Sequence, residues 1–413
     1  MNKKNNPIAF ILHCHYNGLS IIRDLGRRGV PVLAVDTKRN VGCYSRYAKY
    51  VQCPDPAHDE SGFIDFVYHL AAQQEQKPVL IPTGDAWAMA ISKHKKKLEE
   101  VAIPCVANWE TVEMFLNKPN FIQWCQKHSF PVPDCWHIRE ADRIPANRYP
   151  LALKPIARRK SSDNIKNLNI QGEYDRNRLV MVETHKELKL LLSKLHGANK
   201  HYFLQEYVPG LSDSMYTVGV YVDRSSQLKG AFSGHKLRGH PADVGDWRLG
   251  EVKKMPDEVI ELVGEICRDS GFHGIAEFEF KHDHRKNEYR LIEINPRSWS
   301  WVGITAYCGI NLPWMAYADL AGIEEPRYTR PSVPDGSVKY VRLLEDARNC
   351  LFRYKREGYP EWSLSFRRWL GSLKAEKLVT IEFAKDDLMP GIIAAEKFIL
   401  SIIYDLVKSI SEK

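Results

Sequence analysis

The nine cysteines of this 413-residue chain include no CxxC pair, and their scatter from Cys14 to Cys350 has no zinc-ligand spacing. A thioredoxin-like redox motif and a zinc ribbon are therefore both without support. An odd, unpatterned set suits a reducing compartment better than a disulfide framework. No run of 18 or more uncharged apolar residues occurs, which argues against a membrane-spanning helix. Met1 to Pro7 carries charge but leads into no apolar signal region, so a cytoplasmic location is expected. Excess charge of one sign is also scarce. The 59 Lys+Arg against 51 Asp+Glu leave +8, a bias that fits anionic small molecules as readily as nucleic acid or a membrane. Small molecules are the expected partners and nucleic acid is not. Internal repeats, low-complexity tracts, a GxGxxG fingerprint and any Ser-His-Asp or Cys-His signature of nucleophilic catalysis are likewise missing.

What is present is 44% hydrophobic content over a length that suits two or three packed domains. Pro7 to Cys14 reads as a buried strand, Gly18 to Gly29 as an amphipathic helix and Pro31 to Asp36 as a second strand, a βαβ unit that implies a parallel sheet. Helix and strand alternate to about residue 108, with the turn Thr83-Gly84-Asp85 closing the strand Pro78 to Pro82. This reads as a Rossmann-like half-domain lending one wall to a cleft. His13 and His15 are two apart on an extended segment without a visible third ligand, and they read as loop or ligand-contact residues. Pro131-Val132-Pro133 then imposes an extended connector. From Tyr149 β-type runs dominate, interrupted by helices at 186–195 and 257–270, which is α+β order. The expected division is 1–115, 116–325 (as 116–200 and 201–325) and 326–413, the last a helical, basic extension.

The most informative segment is Gly274-Ile275-Ala276-Glu277-Phe278-Glu279-Phe280-Lys281 with Tyr289-Arg290-Leu291-Ile292-Glu293-Ile294-Asn295-Pro296-Arg297. Strand alternation puts Glu277 and Glu279 on one face of the first run, and Glu293, Asn295 and Arg297 on one face of the second. Two neighbouring strands can so offer several oxygen ligands together. Mg²⁺ takes one or two carboxylates and fills its other positions with phosphate oxygens and water, so Glu279, Glu293 and Asn295 are the expected metal ligands, with Mn²⁺ as an alternative ion. Glu277 reads as a further ligand or as a plain strand charge.

These residues resemble the metal-binding end of the ATP-grasp superfamily, and the order of a Rossmann-like domain followed by two α+β subdomains matches residues 1 to about 325. The resemblance implies that ATP is clamped between two sheets. It implies that Lys154, closing Leu151-Ala152-Leu153 before Pro155, and the earlier Lys118 meet the nucleotide phosphates. Gln205-Glu206-Tyr207-Val208-Pro209-Gly210 is similar to the family's interdomain hinge, where Gln205, Glu206, Tyr207 and Val208 would border the adenine. Asp213 falls where an acidic residue accepts from ribose hydroxyls, unless Gly210 to Ser214 is simply a polar turn. One departure is that no glycine-rich loop follows Lys154-Pro155. Arg158, Arg159 and Lys160 stand there instead, either as a basic lid reaching phosphate through side chains or as a solvated charge run.

Within the superfamily, Asn17-Gly18-Leu19 with Arg23, Arg27-Arg28-Gly29, Ser45-Arg46-Tyr47, Lys236-Leu237-Arg238 with Pro241, and Asn295-Pro296-Arg297 resemble the D-aspartate ligase-like carboxylate-amine ligases. The implied reaction activates a carboxylate as an acyl phosphate and joins it to an amine, with Arg297 or Lys236 stabilising the oxyanion. A carboxylase of the same superfamily and a non-catalytic nucleotide-binding scaffold are the alternatives. His235, Lys236, Arg238 and His240 read as a cationic loop, and Trp299, Trp301 and Tyr307 as pocket wall or core. The tail from Pro326 carries 16 Lys+Arg against 12 Asp+Glu and ends in an apolar helix. It suits an anionic membrane surface, the enzyme's own body, or a second subunit in a homodimer.

Overall fold

The computed structural model describes residues 6–156, 180–194, 201–242 and 245–411, with side chains as far as Ile403. Five short runs, β1 (Ala9–Leu12), β2 (Val32–Asp36), β3 (Lys49–Gln52), β4 (Val79–Pro82) and β5 (Ile103–Pro104), pair in parallel in the order β3-β2-β1-β4-β5. The central strands β1 and β4 are buried at every position, as a parallel sheet covered by helices on both faces requires. The helix Tyr16–Arg27 follows β1 and the helix Asp85–Lys93 follows β4. The residues between each strand and its helix therefore gather at the carboxyl ends of the strands, where open α/β sheets form their clefts.

Two antiparallel sheets follow. The smaller contains β6 (Cys135–His137), β7 (Leu151–Pro155), β8 (Val180–Val182) and β9 (Tyr202–Glu206) in the order β6-β9-β7-β8. The larger contains β10 (Met215–Val222), β11 (Leu228–His240), β12 (Asp246–Val252), β13 (Gly274–Asp283), β14 (Glu288–Asn295), β15 (Val338–Val341) and β16 (Lys377–Thr380), ordered β14-β13-β10-β11-β12-β15-β16. Only the β15–β16 pair in it is parallel.

The sequence gives little warning of β11 and β12. Glycine and basic residues interrupt the alternation in β11, and the expected cationic loop at 235–240 is a strand. The glycines have a packing cause. A Cβ on Gly234 in β11 would lie 2.7 Å from Trp301 and one on Gly250 in β12 would lie 2.6 Å from it, while in neighbouring β10 a Cβ on Gly219 would lie 1.9 Å from the Trp299 indole. Both indoles are buried, lying against a sheet face from which side chains are missing, so Trp299 and Trp301 are core residues.

Residues beyond 326 are tied to the rest of the body. β15 and β16 extend the larger sheet, and Arg238 on β11 makes a two-pronged contact with buried Asp346, at 2.8 and 2.7 Å. Trp369 Nε1 donates to the same carboxylate at 2.8 Å. Arg23 donates to Asp387 at 2.9 Å, and Ser45 Oγ and the Arg46 N–H donate to it as well. Arg27 and Tyr47 converge on Asp386. The basic residues of the first domain and of β11 thus act as joints to the final third of the chain. Its last helix, Met389–Ser411, packs Ala394 against Leu19 and Val41 and leaves Ile392, Ile399, Leu400 and Ile403 exposed. Among the described residues no helix is long and apolar enough to cross a membrane.

Candidate active site between two sheets

β13 and β14 run antiparallel with Glu277 opposite Asn295 and Glu279 opposite Glu293. Residues directly opposite in such a pair project to one face, which concentrates acidic groups over a few ångströms. The Asn295 amide donates to Glu277 and Glu279, both at 3.0 Å, and Thr217 Oγ1 donates to Glu277 at 3.1 Å. Burial first, and then the negative charge of Glu279, push the Glu277 carboxyl up to about 8. Two lysines come in from other elements. Lys118, at the start of the helix Lys118–Lys127, donates to Glu293 at 3.1 Å, while Lys236 on β11 lies 4.0 Å from Glu279 and donates to the Gly245 carbonyl at 3.3 Å.

The smaller sheet supplies the opposite wall. Lys154 on β7 donates to Gln205 Oε1 on β9 at 2.5 Å, a contact fixed by the register that pairs Ala152 with Gln205 and Lys154 with Phe203. Burial first, and then the neighbouring Lys118 charge, lower Lys154 to about 7. A buried ammonium beside a second ammonium is costly until an anion arrives. Gln205, Glu206, Tyr207 and Val208 line the same cavity, as do Lys118, Lys154, Lys236, Glu277, Glu279 and Glu293.

Some expected site residues sit elsewhere. The Glu206 carboxylate is occupied by Arg290 at 3.3 Å, Arg285 at 3.6 Å and the Asp134 N–H at 3.3 Å, so its part in the cavity is that of a braced wall. Asp213 is exposed in the one-turn helix Ser212–Ser214; its carbonyl accepts from His235 at 2.6 Å, and its neighbours Ser212 and Met215 line the cavity in its place. Arg159 lies outside the described residues. Asn295 is buried behind the carboxylates, and its Oδ1 is 3.3 Å from Arg297.

Arg297 opens into a second cavity, of about 690 Å³, which shares Lys118, Asp246, Glu293 and Ser300 with the first and reaches the carboxyl ends of β1 and β4. There Arg297 donates to Asp85 Oδ1 at 2.6 Å and to the Ser298 carbonyl at 2.8 Å. His13, with φ of 74°, stacks on Trp87 at 4.5 Å. Burial is the main cause that lowers its imidazole below the ordinary range. The sequence reading missed Asp85, Trp87 and Arg342 in this wall. The Thr83-Gly84-Asp85 turn at a strand end was a usable signal for Asp85, whereas nothing local marks Arg342. A separate group, Cys14, Asp36 and Cys43, has ligand atoms within 4.8 Å of one another. Its Asp36 oxygens are already filled by the N–H groups of Cys14 and Thr37 and by the Asn40 amide.

A family model described as ATP-grasp in the biosynthetic pathway with Ter operon matches residues 244–343. The chain is 28% identical over 288 residues to the D-aspartate ligase of Enterococcus faecium (strain Aus0004), a match covering 65% of this chain and 66% of that protein, slightly under two thirds of its length. Its fold is similar to that of an L-amino acid ligase from Bacillus licheniformis (TM-score 0.57, 17% identity, 80% of this chain and 78% of the other). It is also similar to the biotin carboxylase domain of the Hydrogenobacter thermophilus 2-oxoglutarate carboxylase, solved with ADP, its magnesium salt and bicarbonate (TM-score 0.59, 13% identity, 79% and 72%). The chain thus shares its fold with these enzymes, and its residues 244–343 are similar in sequence to an ATP-grasp family.

Proposed function

We propose that this protein is an ATP-dependent carboxylate-amine ligase that forms an amide through an acyl phosphate and releases ADP and phosphate. The observation that carries the reading is the convergence of Glu279, Glu293, Lys118 and Lys154 on one cavity that opens, past Lys118 and Glu293, into a second one. The first suits a nucleotide and the second a small substrate.

The residues fit a divalent cation. Glu279 and Glu293 are hard oxygen donors facing each other, and Glu277 behind them is pushed up first by burial and then by the Glu279 charge. Held by Glu279 and Glu293 with Asn295 in support, Mg²⁺ would supply charge neutralisation on the triphosphate. Lys154 and Lys118 place two ammonium groups where negative charge shifts as the phosphoryl group leaves ADP for the substrate carboxylate. Lys118 has a further role as the lysine common to both cavities. Gln205 holds the Lys154 ammonium in position, while Tyr207 and Val208 border the base. Arg297, clamped by Asp85 and Ser298, presents a fixed cationic edge for the oxyanion that forms when an amine attacks the acyl phosphate. Lys236 stays beside Glu279, which suits phosphate better than the acyl carbon. Arg159 and its basic neighbours, which follow β7 in sequence, are proposed to contact phosphate.

The relatives support this class of reaction, since D-aspartate ligase and L-amino acid ligase are ligases of amino acids by name. Incubation with ATP, Mg²⁺ and pooled amino acids tests the reading. ADP release that needs both a carboxylate and an amine, with the amide seen by mass spectrometry, supports it. Bicarbonate-dependent ADP release in their place, or nucleotide binding without turnover, overturns it.

A further inference from the structure

The second cavity holds an arginine that the mechanism above does not use. Arg342 directly follows β15, and its N–H donates to the Arg248 carbonyl on β12 at 2.9 Å. The register pairs Leu249 with Val341, so Arg248 and Arg342 stand opposite one another. Like charges directly opposite in a sheet repel. Among the described residues neither guanidinium has a carboxylate within 4.0 Å, and the Nε of each is buried without a hydrogen-bond partner. Arg248 is spent on the carbonyls of Asp246 and Trp247. The Arg342 guanidinium lies over the Tyr16 ring at 4.7 Å and faces the cavity beside His15. Asp246, Glu345 and Glu382 offset this charge only at longer range, and Glu382 has one oxygen taken by the Leu343 N–H.

The other guanidinium in the same cavity is in the opposite condition. Arg297 is filled by Asp85, Ser298 and Asn295. A fold that saturates one arginine and leaves a second aimed into the same space, with a third behind it, retains a repulsion that a bound anion would relieve. The fork geometry of a guanidinium matches a carboxylate with two parallel hydrogen bonds.

We propose that Arg342, backed by Arg248 and supported on Tyr16, receives a carboxylate that the reaction does not consume, so that the substrate of the second cavity is an acid with two carboxylates. It rests on the ligase reading only in treating the occupant as a substrate. The specificity determinant then comes from the final third of the chain, not from the two sheets that hold the nucleotide.

Hydroxylamine, supplied as the amine, converts an acyl phosphate to a hydroxamate, read as its coloured iron(III) complex, and so reports activation of each acid separately. With ATP and Mg²⁺, the diacids aspartate, glutamate and succinate are expected to give hydroxamate, while alanine and butyrate give at least about tenfold less. Arg342→Gln is expected to raise the diacid KM at least about tenfold with little change in kcat, to erase the preference over monoacids, and to leave the Kd of a non-hydrolysable ATP analogue unchanged. Arg342→Lys should restore part of the affinity. Because the substitution also removes a like-charge contact, R342Q should melt no lower than the parent, which separates a binding arginine from a structural one. Equal hydroxamate yields from diacids and monoacids, or an unchanged diacid preference in R342Q, overturn the proposal and leave the ligase reading intact. If no acid gives hydroxamate, the ligase reading fails, and calorimetric titration with succinate decides the site by itself: heat lost in R342Q supports it, and equal heat or none with both proteins overturns it.

Discussion

Arg297, two residues past the end of β14, is bonded at 2.6 Å to Asp85, the first residue of the helix after β4. One ion pair thus joins the sheet that carries Glu279 and Glu293 to the sheet of the first domain, across the second cavity. Both side chains are largely buried, and removing one partner strands the other charge. Asp85→Asn is expected to lower kcat at least about tenfold by freeing Arg297 to reorient, with nucleotide Kd unchanged. A double-mutant cycle with Arg297→Gln should show a coupling of about 1 to 3 kcal/mol in urea melts, and additive losses would show that the two groups act separately.

Glu279→Gln with Glu293→Gln removes two facing carboxylates whose repulsion Lys118 and Lys236 offset only in part without a metal ion. The double variant should melt above the parent when no metal is present, and should lose the added stability that Mg²⁺ with ADP gives the parent. Thermal melts with and without MgADP read both effects, and an equal MgADP shift in the two proteins would remove the carboxylates from the metal site.

Lys154 is lowered to about 7 by burial and by Lys118, against about 10.4 for a free lysine. Between these values the unfolded chain binds the proton and the folded one does not, so without nucleotide this group makes stability rise with pH across that window. Nucleotide binding has the opposite sign. Phosphates favour the ammonium, so binding takes up a proton above pH 7 and affinity falls as pH rises from 7 to 9. Calorimetry at pH 8 in two buffers of different ionisation heat should show that uptake, and Lys154→Met should abolish it.

Asp346 collects two bonds from Arg238 and one from Trp369 while fully buried. Asp346→Ala leaves Arg238 buried without its partner and is expected to cost about 3 to 5 kcal/mol by urea denaturation. Deletion of residues 330–413 should abolish folding for the same reason, because it strips β15 and β16 from the larger sheet.

Gly219→Ala tests the origin of the glycines in the sheet. The new methyl would lie 1.9 Å from Trp299, so a destabilisation of about 1 to 3 kcal/mol is expected. Trp299→Phe in the same background should recover part of it, whereas a backbone effect at Gly219 would be indifferent to the size of the ring.

Local pattern carried a large part of this protein. The buried runs at β1, β2 and β4 and the periodic helices between them specify the first sheet, because a parallel sheet under helices is read from continuous apolar segments. Alternation along Glu277 to Lys281 and Glu293 to Arg297 was enough to expect clustered carboxylates, since strand geometry fixes which side chains share a face. Lys154 before Pro155 and the Gln205 to Val208 segment were expected at the nucleotide through the resemblance to the ATP-grasp superfamily, not through alternation, and they line the first cavity. What alternation could not give was pairing. β11 and β12 escaped notice because glycines that make room for Trp301, Gly234 and Gly250 among them, break the pattern, and the reason for them lies more than 45 residues away in the chain. Whether Arg23, Arg27 and Arg238 meet substrate or carboxylates of the final third was likewise undetermined until the chain closed on Asp346, Asp386 and Asp387. The contrast between Arg297 and Arg342 is of the same kind: two arginines look alike in sequence, and only the tertiary structure, by giving one three polar partners and setting the other over Tyr16 opposite a second arginine, tells them apart.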